Sequence, residues 1–181
     1  LDGKTYVDDH RVDTLLTLKQ VFELSSNIGF IKCVREHYGS QPQRFIDYIS
    51  ALGMREKLGT KIIGEAQPKM WTPKDKGRGQ WNKLTLNAMA YGYGFEISPL
   101  HTLTLYNAVA NDGRMVRPKL IRGISQYGQT IEEYPTEYIN RKICSESTLR
   151  KVRECLEGVV DVGTGSALKN PYYSVAAKTG T

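Results

Sequence analysis

Two short polar clusters carry groups able to move protons and bind anions: Ser25-Ser26-Asn27 and Lys178-Thr179-Gly180-Thr181, with 153 positions between Ser25 and Lys178. A hydroxyl both donates and accepts, an amide does so through separate atoms, and a lysine ammonium brings three donors and a positive charge. Taken singly, each cluster is weak evidence. Ser-x-Asn and Lys-Thr-Gly arise by chance, and Ser-Ser-Asn is a serviceable helix cap. The other ionisable groups are less suggestive. His10, His37 and His101 are scattered, with no Asp or Cys partner implied by spacing, so surface or core roles are expected. Asp8-Asp9 and Glu132-Glu133 are adjacent pairs rather than carboxylates facing across a cleft. Cys33, Cys144 and Cys155 show no CxxC or zinc spacing, so no metal site or cofactor is expected.

The elements that must position the two clusters follow from periodicity. Leu18, Val21, Phe22 and Leu24 make a helical pattern that breaks at Ser25-Ser26-Asn27. A second apolar run through Ile28, Ile31, Val34 and Tyr38 then stops at Gly39. The tripeptide is therefore expected on a short connection between helices, where side chains can face a cleft. Ser40 and Gln43 have capping-box spacing ahead of a helix expected to bury Phe45, Ile49 and Leu52 and to end at Gly53. Residues 60–81 read as loop. Ser98-Pro99 opens another helix that runs to Gly113. A strand or two with irregular chain is expected over 115–143. Leu149, Val152, Leu156 and Val159 mark a further helix, followed by Gly163-Thr164-Gly165. Residues 172–181 lean towards a strand. The fold class is α+β, with the sheet under-represented, because one strand needs partners.

Composition bounds the function. With 40% hydrophobic and 24% charged residues, the 181-residue chain is globular in type and long enough for one core. No run approaches the roughly 20 apolar residues of a membrane-spanning helix. The net charge of +6 is dispersed, with one modest cluster at Lys74, Lys76, Arg78 and Lys83. Without a basic stripe or interleaved aromatics, no nucleic-acid partner is expected.

The order of the clusters changes their weight. Ser-x-Asn on a connection between helices, then Lys-Thr-Gly on a late strand, are two of three motifs shared by β-lactamases and penicillin-binding proteins; the third is a nucleophilic Ser-x-x-Lys. The run from Leu18 through Ser25-Ser26-Asn27-Ile28-Gly29 resembles the second-motif region of class B penicillin-binding protein transpeptidase domains. The stretch from Tyr91 through Ser98-Pro99 to Leu103, then Tyr106 to Gly113 and Arg117-Pro118, is similar to their long middle helix and its flanks. Gly163-Thr164-Gly165 before Lys178-Thr179-Gly180-Thr181 continues the likeness. The Trp81, Leu84–Gly94 and Ser98-Pro99-Leu100 pattern resembles the division-associated type.

The resemblance implies part of a transpeptidase fold of the penicillin-binding protein and serine β-lactamase kind. It implies a peptidoglycan D,D-transpeptidase that cross-links D-Ala-D-Ala stem peptides through an acyl-serine and binds β-lactam antibiotics covalently. Ser25 would shuttle a proton, Asn27 would orient the substrate peptide and the lysine, and Lys178 would supply positive potential. Thr179 and Thr181 would bind the substrate carboxylate, Gly180 would admit the substrate backbone, and the Thr181 N–H would serve the oxyanion hole. A glycosyltransferase and divisome proteins are the implied partners. The implied location is the periplasmic face of a bacterial inner membrane, with a transmembrane anchor outside this chain.

One departure is serious. None of the 24 residues before Ser25 forms Ser-x-x-Lys, and the one such spacing, Ser166-Ala167-Leu168-Lys169, lies in the wrong order on a short connection. The chain is therefore expected to be an incomplete transpeptidase domain. It would lack the upstream Ser-x-x-Lys segment and the strands and helix after Lys-Thr-Gly-Thr, and would be inactive alone. A serine β-lactamase or β-lactam sensor, or a non-catalytic scaffold module, are the alternatives.

Overall fold

The computed structural model describes residues 3, 5–77 and 79–180. In chain order the elements are α1 (Leu18–Glu23), α2 (Asn27–Tyr38), α3 (Pro42–Ala51), β1 (Lys69–Met70), α4 (Thr85–Ala90), β2 (Phe95–Glu96) and α5 (Pro99–Ala110). They continue with β3 (Met115–Val116), β4 (Gly123–Gln126), β5 (Gln129–Glu133), β6 (Tyr138–Asn140), α6 (Glu146–Asp161) and a 3-10 turn, Ser166–Leu168. The class is α+β, with small antiparallel sheets. The chain divides into two compact units. One comprises the described residues of Leu1–Ile46, Trp71–Phe95 and Arg150–Thr181; the other comprises Asp47–Met70 and Glu96–Leu149.

In the first unit, α2 packs against α1 and α4. The fully buried side chains include Ile31, Ile46, Val159 and Val160. Phe22 and Phe30 meet edge to face at 6.0 Å, the arrangement that aromatic quadrupoles favour. A capping box opens α1. The Thr17 hydroxyl accepts from the Gln20 N–H at 3.3 Å, and the Thr17 N–H donates to Gln20 Oε1 at 2.9 Å. The box expected at Ser40 and Gln43 does not occur as such. Pro42 takes the first helical position of α3, so Ser40 falls one residue before the N-cap. Along α3 the buried side chain is Ile46, while Phe45, Ile49 and Leu52 are half-buried.

The second unit is built around Met54, Ala108 and Met115, with Ile49, Leu52, Ile97, Leu105, Ile139 and Ile143 packed against them. Here β3 pairs with β6 and β4 with β5, both antiparallel. Four short strands thus occupy the segment where one or two were expected. His101 is a satisfied core histidine: it is 1% exposed, with ring nitrogens 2.7 Å from Ser98 Oγ and 3.0 Å from the Glu56 carbonyl. Arg117 donates to Glu137 at 2.9 Å and to the Leu58 carbonyl, which makes it a structural clamp.

The late strand expected at 172–181 is not formed among the described residues. Residues 174–180 have no regular secondary structure, although the Ala177 N–H donates to the Leu156 carbonyl at 3.1 Å. A strand is defined by its ladder, and no described strand lies alongside this segment to build one. No helix among the described residues is long and apolar enough to cross a membrane.

Candidate active site

The turn between α1 and α2 is a Schellman motif. Leu24 is the C-cap, the Ser25 N–H returns to the Phe22 carbonyl at 3.2 Å, and the Ser26 N–H returns to the Val21 carbonyl at 3.0 Å. The residue after the C-cap in this motif is left-handed, and here it is Ser25, at φ 54. A Cβ in that conformation costs roughly 1–2 kcal/mol, which is why glycine usually fills the position. Ser25 holds a strained turn where glycine would relax it, and such strain concentrates at functional sites.

Ser26 serves both helices. Its backbone closes the turn after α1, and its hydroxyl caps α2 by accepting from the Gly29 N–H at 3.0 Å. The same hydroxyl donates to Asp8 at 2.8 Å, and the other Asp8 oxygen accepts from the Ile28 N–H at 3.0 Å. A carboxylate at the positive end of a twelve-residue helix is favourable, so Asp8 fixes the start of α2 and the turn before it. This role was not legible from the Asp8-Asp9 pair. Asn27 is the first residue of α2 rather than part of the connection. Its side chain is half-buried, and among the described residues no hydrogen bond joins it to Lys178 or Ser25.

Lys178 and Ser25 are brought together. Lys178 Nζ donates to Ser25 Oγ at 2.6 Å, the short distance of a charge-assisted bond. A second donor reaches the Thr179 carbonyl at 3.3 Å, and the ammonium lies 5.8 Å from the centre of the Phe22 ring. Burial lowers the Lys178 pKa below its ordinary value, because the charged form loses hydration. An ammonium cannot accept, so Ser25 Oγ must be the acceptor in this bond. The Ser25 proton is therefore directed away from Lys178.

Glu23, two residues before Ser25, is buried and pairs with Lys19 at 3.6 Å. Its carbonyl accepts from the Thr164 N–H at 3.2 Å, and a Cβ on Gly163 would overlap that carbonyl. Only glycine lets the 163–165 turn come so close. Thr164 Oγ1 lies 3.5 Å from the same carbonyl and 2.8 Å from Thr179 Oγ1. Sequence reasoning did not single out Glu23, and it gave Thr164 no role beyond its place in Gly163-Thr164-Gly165. The Gly-Thr-Gly spelling was the one available signal for the second.

Thr179 and Gly180 are exposed, and the space that a Cβ would take at Gly180 is open. The expected roles of Thr181 lie outside the described residues. Ser166 and Lys169 are both exposed on the 3-10 turn and its end, bonded backbone to backbone at 3.2 Å. Burial pushes the Cys155 thiol pKa up, so it stays protonated and packs as a small apolar group. No group of three metal-ligating side chains occurs among the described residues.

Comparison with known proteins gives the family of the chain. A family model described as the penicillin binding protein transpeptidase domain matches residues 2–181. The chain is 31% identical over 173 residues to penicillin-binding protein PbpB of Mycobacterium tuberculosis, covering 91% of this chain and 24% of that protein. It is 30% identical over 188 residues to the probable peptidoglycan D,D-transpeptidase FtsI of Caulobacter vibrioides, covering 100% of this chain and 28% of that one. The crystal structure of penicillin binding protein 3 from Mycobacterium tuberculosis, complexed with aztreonam, superposes with a TM-score of 0.79 at 27% identity. That match covers 98% of this chain and 40% of the other. The chain thus spans about a quarter of the length of the curated relatives it matches.

Proposed function

The chain belongs to the penicillin-binding protein transpeptidase family, and on that premise we propose that it supplies two walls of the active site of a peptidoglycan D,D-transpeptidase. The observation that carries the reading is the 2.6 Å bond from Lys178 to Ser25, which joins two motifs 153 positions apart. On this reading the nucleophile is the serine of a Ser-x-x-Lys, a motif that residues 1–24 do not spell. The chain is then one part of a transpeptidase domain, in keeping with its spanning about a quarter of the length of its curated relatives.

The chemistry assigned to these residues balances. The nucleophilic hydroxyl adds to the carbonyl of the D-Ala-D-Ala bond, and a tetrahedral oxyanion forms. The C–N bond then breaks, and the leaving nitrogen of D-Ala needs a proton. Ser25 delivers it, because Lys178 holds its oxygen and turns its proton outward, and Ser25 takes up in exchange the proton that the nucleophilic hydroxyl gives up on attack. In the second half-reaction an amine of a neighbouring stem attacks the acyl-serine, and its proton returns by the same route. Splitting the transfer lets one serine serve both halves. Asn27 orients the stem peptide. Lys178 and the Thr179 and Thr181 hydroxyls hold its carboxylate, Gly180 admits its backbone, and the Thr181 N–H is an oxyanion-hole donor.

A β-lactam follows the same route as far as the acyl-enzyme. The Trp81, Leu84–Gly94 and Ser98-Pro99-Leu100 pattern supports a division-associated enzyme, acting at the periplasmic face of a membrane with a glycosyltransferase and divisome partners. The test is to treat the full-length protein and residues 1–181 with a fluorescent penicillin and to map the label by peptide mass spectrometry. The label is expected on a serine outside residues 1–181, with the 181-residue chain unlabelled. A label on Ser25 or Ser166 would contradict the assignment.

A further inference from the structure

We infer that Thr164 is a positioning residue that directs the proton of the Thr179 hydroxyl towards the carboxylate of the bound peptide or β-lactam. This rests on the reading above. Thr164 stands at the junction of the two motifs. Its N–H is tied to the Glu23 carbonyl at 3.2 Å, two residues before Ser25, and its hydroxyl meets that of Thr179 at 2.8 Å. Gly163 allows this approach, because any Cβ there would strike the Glu23 carbonyl. The pair Thr164–Thr179 thus fixes the Lys-Thr-Gly segment against the turn that carries Ser25.

Proton direction gives the pair its function. A hydroxyl has one proton to give, and a carboxylate only accepts. If Thr179 gives its proton to Thr164, nothing remains for an incoming carboxylate. If Thr164 gives its proton to Thr179, the Thr179 proton is free for the ligand. The exchange is cheap for Thr164, whose only other described acceptor is the Glu23 carbonyl, at the long distance of 3.5 Å. Lys178 does not do the same work for Thr179, because its donors serve Ser25 Oγ and the Thr179 carbonyl rather than Thr179 Oγ1. Both threonines are exposed, so a ligand can reach them.

The test uses the full-length protein and the variants Thr164→Val and Thr164→Ser. Acylation rates are measured with benzylpenicillin, which bears the carboxylate, and with its methyl ester, which does not. Thr164→Val is expected to lower acylation by benzylpenicillin about tenfold, the worth of one hydrogen bond to a charged group. It should change the rate with the ester less than twofold, and Thr164→Ser should restore the benzylpenicillin rate. Equal losses with both substrates, from misfolding or lost packing, would overturn the inference. So would an unchanged benzylpenicillin rate in a protein that Lys178→Ala still disables. If Lys178→Ala leaves the rate intact, the failure lies with the transpeptidase reading itself.

Discussion

Replacing Lys178 with alanine in the full-length protein is expected to lower the acylation rate constant for benzylpenicillin by about 10²–10³, the usual cost of losing one preorganised donor from a reacting centre. Three observations set this magnitude. The Lys178–Ser25 bond is short at 2.6 Å, the amine is partly withdrawn from water, and burial lowers its pKa. A charge held in partial burial acts more strongly on its neighbours than one in bulk water. Alanine removes the donor that turns the Ser25 proton outward and the positive potential near the carboxylate. Lys178→Arg keeps the charge, but a planar guanidinium cannot take the place of a compact ammonium. It is expected to recover only a minor part of the rate. Stopped-flow acylation of the three proteins checks this, and near-parental rates for Lys178→Ala would refute the role.

Ser25 should separate stability from activity. At φ 54 a serine bears strain that glycine does not, while glycine loses more backbone entropy on folding. The balance makes Ser25→Gly expected to stabilise the protein by about 0.5–1 kcal/mol, measured by urea denaturation. The same change removes the proton carrier and should lower acylation by about 10²–10³. Ser25→Ala keeps the strain and loses the hydroxyl, so it should lose activity without gaining stability. This opposition is the mark of a residue kept for chemistry rather than folding. If Ser25→Gly proved less stable than the parent, the strain argument would fail. If it were fully active, the proton-shuttle argument would fail.

The sequence predicts these elements unevenly, for physical reasons. α2, α5 and α6 were legible because each combines an apolar 3.6 period with a recognisable end: Gly39 after α2, Ser98-Pro99 before α5, Gly163 after α6. α4 was missed because it has six residues and no side-chain cap, too little for a period to register. The capping box was sought at Ser40 although Thr17 and Gln20 have the same spacing; Pro42 shows why the later one fails. The segment before Lys178 is β-leaning in composition, yet a strand also needs a neighbour, which composition does not supply.

The candidate site was legible through its motifs and not through its contacts. Ser25 and Lys178 were chosen by resemblance, and no periodicity could place residues 153 positions apart within 2.6 Å. The supporting shell was illegible. Asp8 reads as half of an acidic pair, yet it bonds Ser26 and Ile28. Glu23 reads as an ordinary charged helix residue, yet it is buried and offers its carbonyl to Thr164. Tertiary packing, which one sequence does not display, gives both residues their roles.

The most direct test of the central claim, that Ser25 and Lys178 act as one unit in acylation, is a double-mutant cycle in the full-length protein. Acylation by benzylpenicillin is measured for Ser25→Ala, Lys178→Ala and the double variant. Residues acting as a unit are strongly non-additive, so the double variant should be about as slow as the slower single one. Losses that multiply, each independent of the other substitution, would contradict the account.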